Sequence, residues 1–112
     1  MQTVVETPPY LADAERLFNE EERAAIVDAI SADPKCGVVV QGTGGVRKLR
    51  VAASGRGKRC GARVIYLFGG DDVPVFLLAV FAKNEKADLS KAERNELGRM
   101  TVALLANYRR RP

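Results

Sequence analysis

Residues 46–82 read VRKLRVAASGRGKRCGARVIYLFGGDDVPVFLLAVFA, and the spacing of their apolar side chains decides the fold. Val46-Arg47-Lys48-Leu49-Arg50-Val51 has a period of two, which puts Leu49 and Val51 on one face of a strand and Lys48 and Arg50 on the other. Residues 62–68 predict a second strand and 75–82 a third. Gly69-Gly70-Asp71-Asp72-Val73-Pro74 between them carries the chemistry of a hairpin loop. The third run is apolar almost throughout, so it predicts a strand inside the sheet, covered on both faces.

Upstream of this block the period is helical. Residues 2–6 alternate weakly around Val4 and Val5 and predict a short first strand, stopped by Pro8 and Pro9. Proline suits a helix start, and Tyr10, Ala14, Leu17 and Phe18 share one face, so a helix is predicted over 9–18. Asn19 with Glu22 forms a capping box for a second helix, which buries Ile26, Val27 and Ile30 and ends before Pro34. Downstream, Ser90-Lys91-Ala92-Glu93 is another capping box. Leu97, Met100, Thr101, Leu104 and Tyr108 then form a helical stripe up to Arg109-Arg110-Arg111, whose charges suit the helix dipole. The expected fold is α+β, in the order βααβββα, with a twisted antiparallel sheet packed by two N-terminal helices and a C-terminal helix.

At 112 residues with 46% apolar and 29% charged side chains, the chain is expected to form one domain over 1–112. Its net charge of +4 hides a division: residues 1–34 sum to −6 and the remainder to +10. Seven Lys/Arg and no Asp or Glu lie between Val46 and Arg63. A like-charged block costs self-repulsion that a polyanion offsets, and RNA or DNA phosphate is the first suspect. There is no His, which removes Ser-His-Asp hydrolysis, Cys-His proteolysis and paired-histidine nuclease chemistry. Cys36 and Cys60 stand apart with no partner for a zinc site, and a reducing cytosol favours two thiols over a disulfide. No signal peptide and no membrane span are expected, so the chain reads as cytoplasmic.

Several cations can converge on one sheet face. Arg63 on the strand after the basic loop is expected beside Lys48 and Arg50, with Lys83 and Lys86 leading away from the next strand. Such a set can bind consecutive phosphates and stabilise the charge of a pentavalent phosphorane. The same residues on an exposed strand also guard against edge aggregation, and a Gly-rich basic loop can be merely solvated. Asp71 and Asp72 read as turn formers before they read as Mg²⁺ ligands. Gln41-Gly42-Thr43-Gly44-Gly45 is not a P-loop, because no Gly-Lys-Ser/Thr opens a helix after it.

Three blocks in order, GGVRKLR at 44–50, GARVIY at 61–66 and FAKNEKADLS at 81–90, resemble the RelE superfamily of toxins, nearest its RelE/HigB-like branch. The resemblance runs over about residues 10–108. It implies a RelE-like, microbial-RNase-like fold and a ribosome-dependent mRNA interferase that cuts messenger RNA in the ribosomal A site. The implied reaction is attack of the 2′-hydroxyl on the adjacent phosphate, with no metal and no cofactor. Carried over by position, Arg63, Lys83 and Lys86 are the implied catalytic residues, and Lys48, Arg50, Arg56, Lys58 and Arg59 the implied RNA-binding ones. The implied partners are a cognate antitoxin of helix-turn-helix type, the ribosome and mRNA, with operator DNA reached only through the antitoxin and no membrane. Leu89-Ser90 stands where several members carry a tyrosine, which leaves Lys83, Lys86 and Glu85 as candidates for the general base. A degenerate toxin that docks its antitoxin without cutting, and a ribosome-independent RNase acting on free RNA, are the alternatives.

Overall fold

The computed structural model describes residues 2–53 and 60–110. The chain runs β1 (Val4–Glu6), α1 (Pro8–Leu17), α2 (Glu20–Ala32), β2 (Val38–Val39), β3 (Val46–Ala53), β4 (Cys60–Leu67), β5 (Val75–Ala82) and α3 (Lys91–Arg109). The strands form one sheet in the order β1-β5-β4-β3-β2. The α+β fold is therefore as expected, with two differences in the sheet. β1 lies parallel to β5, Val5 beside Phe76, so the sheet is mixed rather than wholly antiparallel. The exposed two-residue β2 adds an edge along Arg47 and Lys48 that the sequence reading lacked.

Alternation along the strands makes two cores. Leu49, Val51, Val64, Tyr66, Val75 and Leu77 face α1 and α2, meeting Tyr10, Ala14, Leu17, Phe18, Ile26 and Ile30. Val46, Ile65, Leu67, Phe76 and Leu78 face α3, meeting Leu97, Leu104, Leu105 and Tyr108. Phe76 and Tyr108 meet edge to face, with ring centroids 5.3 Å apart. Both predicted capping boxes are present, Asn19 with Glu22 and Ser90 with Glu93, so each helix starts where its side chains can satisfy the first free N–H groups.

One irregularity decides which side of the sheet the end of β5 presents to α3. Tyr66 pairs with Leu77 but Ile65 pairs with Ala79, so Leu78 is an extra residue on β5. Val75 and Leu77 face α1 and α2, and unbroken alternation would send Phe81 to the same side. The bulge resets the phase, so that Val80 and Ala82 face α1 and α2 while Phe81 faces α3.

The glycine-rich 41–45 segment is a structural turn. Thr43 is buried, its Oγ1 donating to Val40 O (2.7 Å) and accepting from Val46 N–H (3.1 Å). Gly98 of α3 packs against Gly42 and Thr43, where a Cβ would lie 3.3 Å from Gly42 O. Tyr66 ties the opposite face to the connection before β2: its hydroxyl accepts from Gly37 N–H (2.8 Å) and donates to Pro34 O (2.7 Å). Burial pushes the Tyr66 phenol well above its ordinary range.

Candidate functional site

The site is a row of side chains across the α3-facing side of the sheet. Arg50 on β3 lies directly opposite Arg63 on β4, and Arg63 lies directly opposite Phe81 on β5. Lys86 completes the row from the turn after β5, its Nζ 4.8 Å from the centre of the Phe81 ring. Lys48 is on the same face of β3, two residues before Arg50. The expectation that Lys48, Arg50 and Arg63 share a face agrees with this register. Two arginines opposed on antiparallel strands repel one another.

Arg63 is the floor of the row, only 9% exposed. Its Nη1 donates to Ala62 O at 3.3 Å and lies 3.4 Å from where a Cβ on Gly61 would stand. The guanidinium is thus laid back along its own strand, over a residue without a side chain. Lys83 is exposed, and its backbone N–H donates to Gly61 O (2.8 Å), carrying the β4–β5 ladder one step past Ala82. Among the described residues, Arg50, Arg63 and Lys83 form no ion pair with a carboxylate. Arg56, Lys58 and Arg59 lie outside the described residues.

The sequence reading missed the acids that attend the other two cations. Lys48 Nζ donates to Asp88 Oδ1 at 2.9 Å, and Lys86 Nζ donates to Glu93 Oε2. The hydrogen bond from Lys48, followed by that from Leu89 N–H, holds the Asp88 carboxyl below the usual aspartate range. Lys86, then Ser90 N–H, does the same for Glu93. Glu93 reads in the sequence as a cap alone, and its separation from Lys86 crosses a turn, where no helical spacing reveals a pair. Glu85, a candidate base, points to α1: its Oε1 accepts from Ala82 N–H (3.1 Å), and Arg16 donates to both its oxygens (2.6 and 3.2 Å). A groove of about 480 Å³ beside the row is floored by Ala79, Phe81 and Leu89 and rimmed by Arg16, Glu85 and Glu93.

Asp72 is tied to α3, with Arg109 Nε donating to Oδ2 (2.7 Å) and Nη2 to Oδ1 (3.2 Å). Arg109 lowers the Asp72 pKa. The last-turn arginine is thereby a clamp on the β4–β5 hairpin. Cys36 is an exposed free thiol. Among the described residues no three His, Cys, Asp or Glu side chains come together to hold a metal, and no helix is long and apolar enough to cross a membrane.

Exposed ion pairs contribute at most about 1 kcal/mol, so the Lys48–Asp88 pair is readily exchanged for a phosphate. Asp88→Asn is expected to leave thermal stability nearly unchanged at neutral pH while tightening binding of single-stranded RNA. The slope of log affinity against log salt should steepen by about 0.7, the value for one more phosphate contact. Fluorescence anisotropy across a salt series reads both; unchanged or weaker binding argues that Lys48 makes no phosphate contact. Because the folded-state pKa of Asp88 is lowered, its contribution to stability is present above the ordinary aspartate range and is lost as pH falls through the lowered value. The pair is therefore intact at neutral pH.

The features together define a small α+β protein with a cationic row on the α3-facing side of its sheet, backed on the other side by a core packed with α1 and α2. The family model for the RelE toxin of the RelE / RelB toxin–antitoxin system matches residues 15–110. The chain belongs to the RelE toxin family. Toxins of this family pair with antitoxins and are generally endoribonucleases.

Proposed function

We propose that residues 1–112 act as one toxin domain, a ribosome-dependent mRNA endoribonuclease of the RelE/HigB-like branch, working in the cytoplasm. A helix-turn-helix antitoxin restrains it and gives it access to operator DNA. The observation that carries this reading is the Arg50–Arg63–Phe81 row with Lys86 above it. Opposed arginines cost stability in the free protein, and an RNA phosphate between them converts the repulsion into attraction. Local conflict of this kind marks functional sites.

In the proposed reaction the ribose 2′-oxygen attacks the adjacent phosphorus and the bond from phosphorus to the 5′-oxygen breaks. A 2′,3′-cyclic phosphate and a 5′-hydroxyl result. Lys83, which has no carboxylate partner among the described residues, accepts the 2′-hydroxyl proton in its neutral amine form. The Lys86 ammonium supplies the proton to the departing 5′-oxygen, and Arg63 offsets the charge on the phosphorane. Lys48, Arg50, Arg56, Lys58 and Arg59 hold the flanking phosphates. No His supports the acid/base steps, so alignment of the 2′-oxygen by the ribosome supplies much of the rate.

One observation favours the second reading, a degenerate toxin that binds without cutting: Ser90, where several members carry tyrosine, uses its hydroxyl to accept from Glu93 N–H in the α3 cap. Induction of the chain without antitoxin separates the readings. Growth arrest with new mRNA 5′ ends confined to translated regions, and in frame, is expected. Arrest without new ends selects the binding-only protein, and equal cutting of purified RNA without ribosomes selects a free RNase.

A further inference from the structure

We propose that Glu93 is a positioning residue that holds the Lys86 ammonium over Phe81, in line with Arg63. The inference rests on the proposed cleavage activity. Lys86 by itself is poorly fixed: it stands in a turn, anchored by its backbone N–H to Ala82 O (3.2 Å), and its long stem is rich in rotamers. Glu93 is the opposite case. Its backbone N–H donates to Ser90 Oγ (3.1 Å) while its Oε1 accepts from Ser90 N–H (2.8 Å), so the capping box fixes the carboxylate to the start of α3. The remaining oxygen, Oε2, accepts from Lys86 Nζ.

The cation is thereby held from two sides, by a helix cap and by an aromatic ring on the sheet. Phe81 faces Arg63 across the β4–β5 ladder, so the support that fixes Lys86 also sets its place relative to the buried arginine. With side chains 36% and 42% exposed, the pair does little for folding. Its consequence is geometric: a mobile ammonium becomes a fixed one, and a proton donor misplaced by about 1 Å can cost a hundredfold in rate.

Glu93→Gln tests this cleanly, since glutamine serves the capping box as well as glutamate does while removing the charge that faces Lys86. Single-turnover cutting of ribosome-bound mRNA by the full chain is measured for wild type, Glu93→Gln, Lys86→Ala and the double variant. The rate at saturating toxin is expected to fall roughly tenfold to a hundredfold in Glu93→Gln, while the half-saturating concentration and the thermal midpoint stay put. In the Lys86→Ala background the same change is expected to cost nothing further, because interacting residues are non-additive. A full rate in Glu93→Gln overturns the inference, as does an equal loss in both backgrounds, or rate, affinity and thermal midpoint falling together. A wild-type chain that cuts no mRNA defeats the cleavage reading and this inference with it, an outcome distinct from all three.

Discussion

Arg63→Met is expected to lower mRNA cutting by a hundredfold or more and to restore growth, without lowering the thermal midpoint. Methionine keeps most of the aliphatic stem of a side chain that is 9% exposed, so packing between β3 and β5 is largely retained. What is lost is the guanidinium. Removing one transition-state contact of this type costs about 3 kcal/mol, a factor of about 150 in rate. The opposing term concerns stability: Arg50 no longer faces a like charge on the neighbouring strand, which relieves up to about 1 kcal/mol. Activity and stability are thus expected to move independently or in opposite directions, as at sites selected for function over folding. Primer extension on mRNA from induced cells, beside thermal melting of the purified antitoxin complex and the toxin released from it, reads both. A folded Arg63→Met protein as toxic as wild type would remove Arg63 from the reaction.

Gly45→Ala is expected to produce the largest loss of stability among single-methyl changes. Gly45 has φ of +140°, and a Cβ there would stand 2.9 Å from Phe68 O. The obstacle is backbone, and it is pinned, because Phe68 N–H donates to Gly45 O at 3.0 Å. Strain and clash together should cost about 3 kcal/mol, lowering the midpoint of thermal unfolding by roughly 10–15 °C for a chain of this size. Gly42→Ala is the control. Its φ is +78° but the space around it is open, so only the left-handed penalty of about 1 kcal/mol applies. Equal melting losses for the two variants would show that the close approach to Phe68 does not exist in solution.

The β3, β4 and β5 strands and both capping boxes were legible because their signals are local: alternation in Lys48-Leu49-Arg50-Val51, an unbroken apolar run over 75–82, and Ser or Asn three residues before Glu. The same alternation placed Lys48 and Arg50 correctly. The direction of β1 was not legible. Val4–Glu6 is too short to carry a register signal, and its pairing with Val75–Leu77 is fixed only after two helices have crossed the sheet. Val38–Val39 has the matching difficulty: two residues cannot show a period. At the site, the row through Arg50, Arg63 and Phe81 depends on register between strands, which the spacing within any one strand does not contain. The attendant acids were hidden for a different reason. Asp88 meets Lys48 across 40 positions of chain, and the cap at the start of α3 accounts for Glu93 without any reference to Lys86.

The extra residue at Leu78 makes β5 a strand with two reading frames. Residues 75–77 are read in one frame and 79–82 in the other, and a frame in a strand has only two values. Straightening the strand with all eight residues kept, so that Leu78 joins the regular ladder, is therefore not a small perturbation whose cost scales with the atoms moved. It exchanges the two sides of every position beyond it, turning Phe81 toward α1 and α2 and Val80 and Ala82 toward the arginines. Deletion of Leu78 is the opposite case: Leu77 then stands next to Ala79 in a regular ladder, and Phe81 keeps its place on the α3 side. The side on which Phe81 meets Arg63 and the side on which Val80 and Ala82 meet α1 and α2 are thus set by one irregularity, and neither changes without the other.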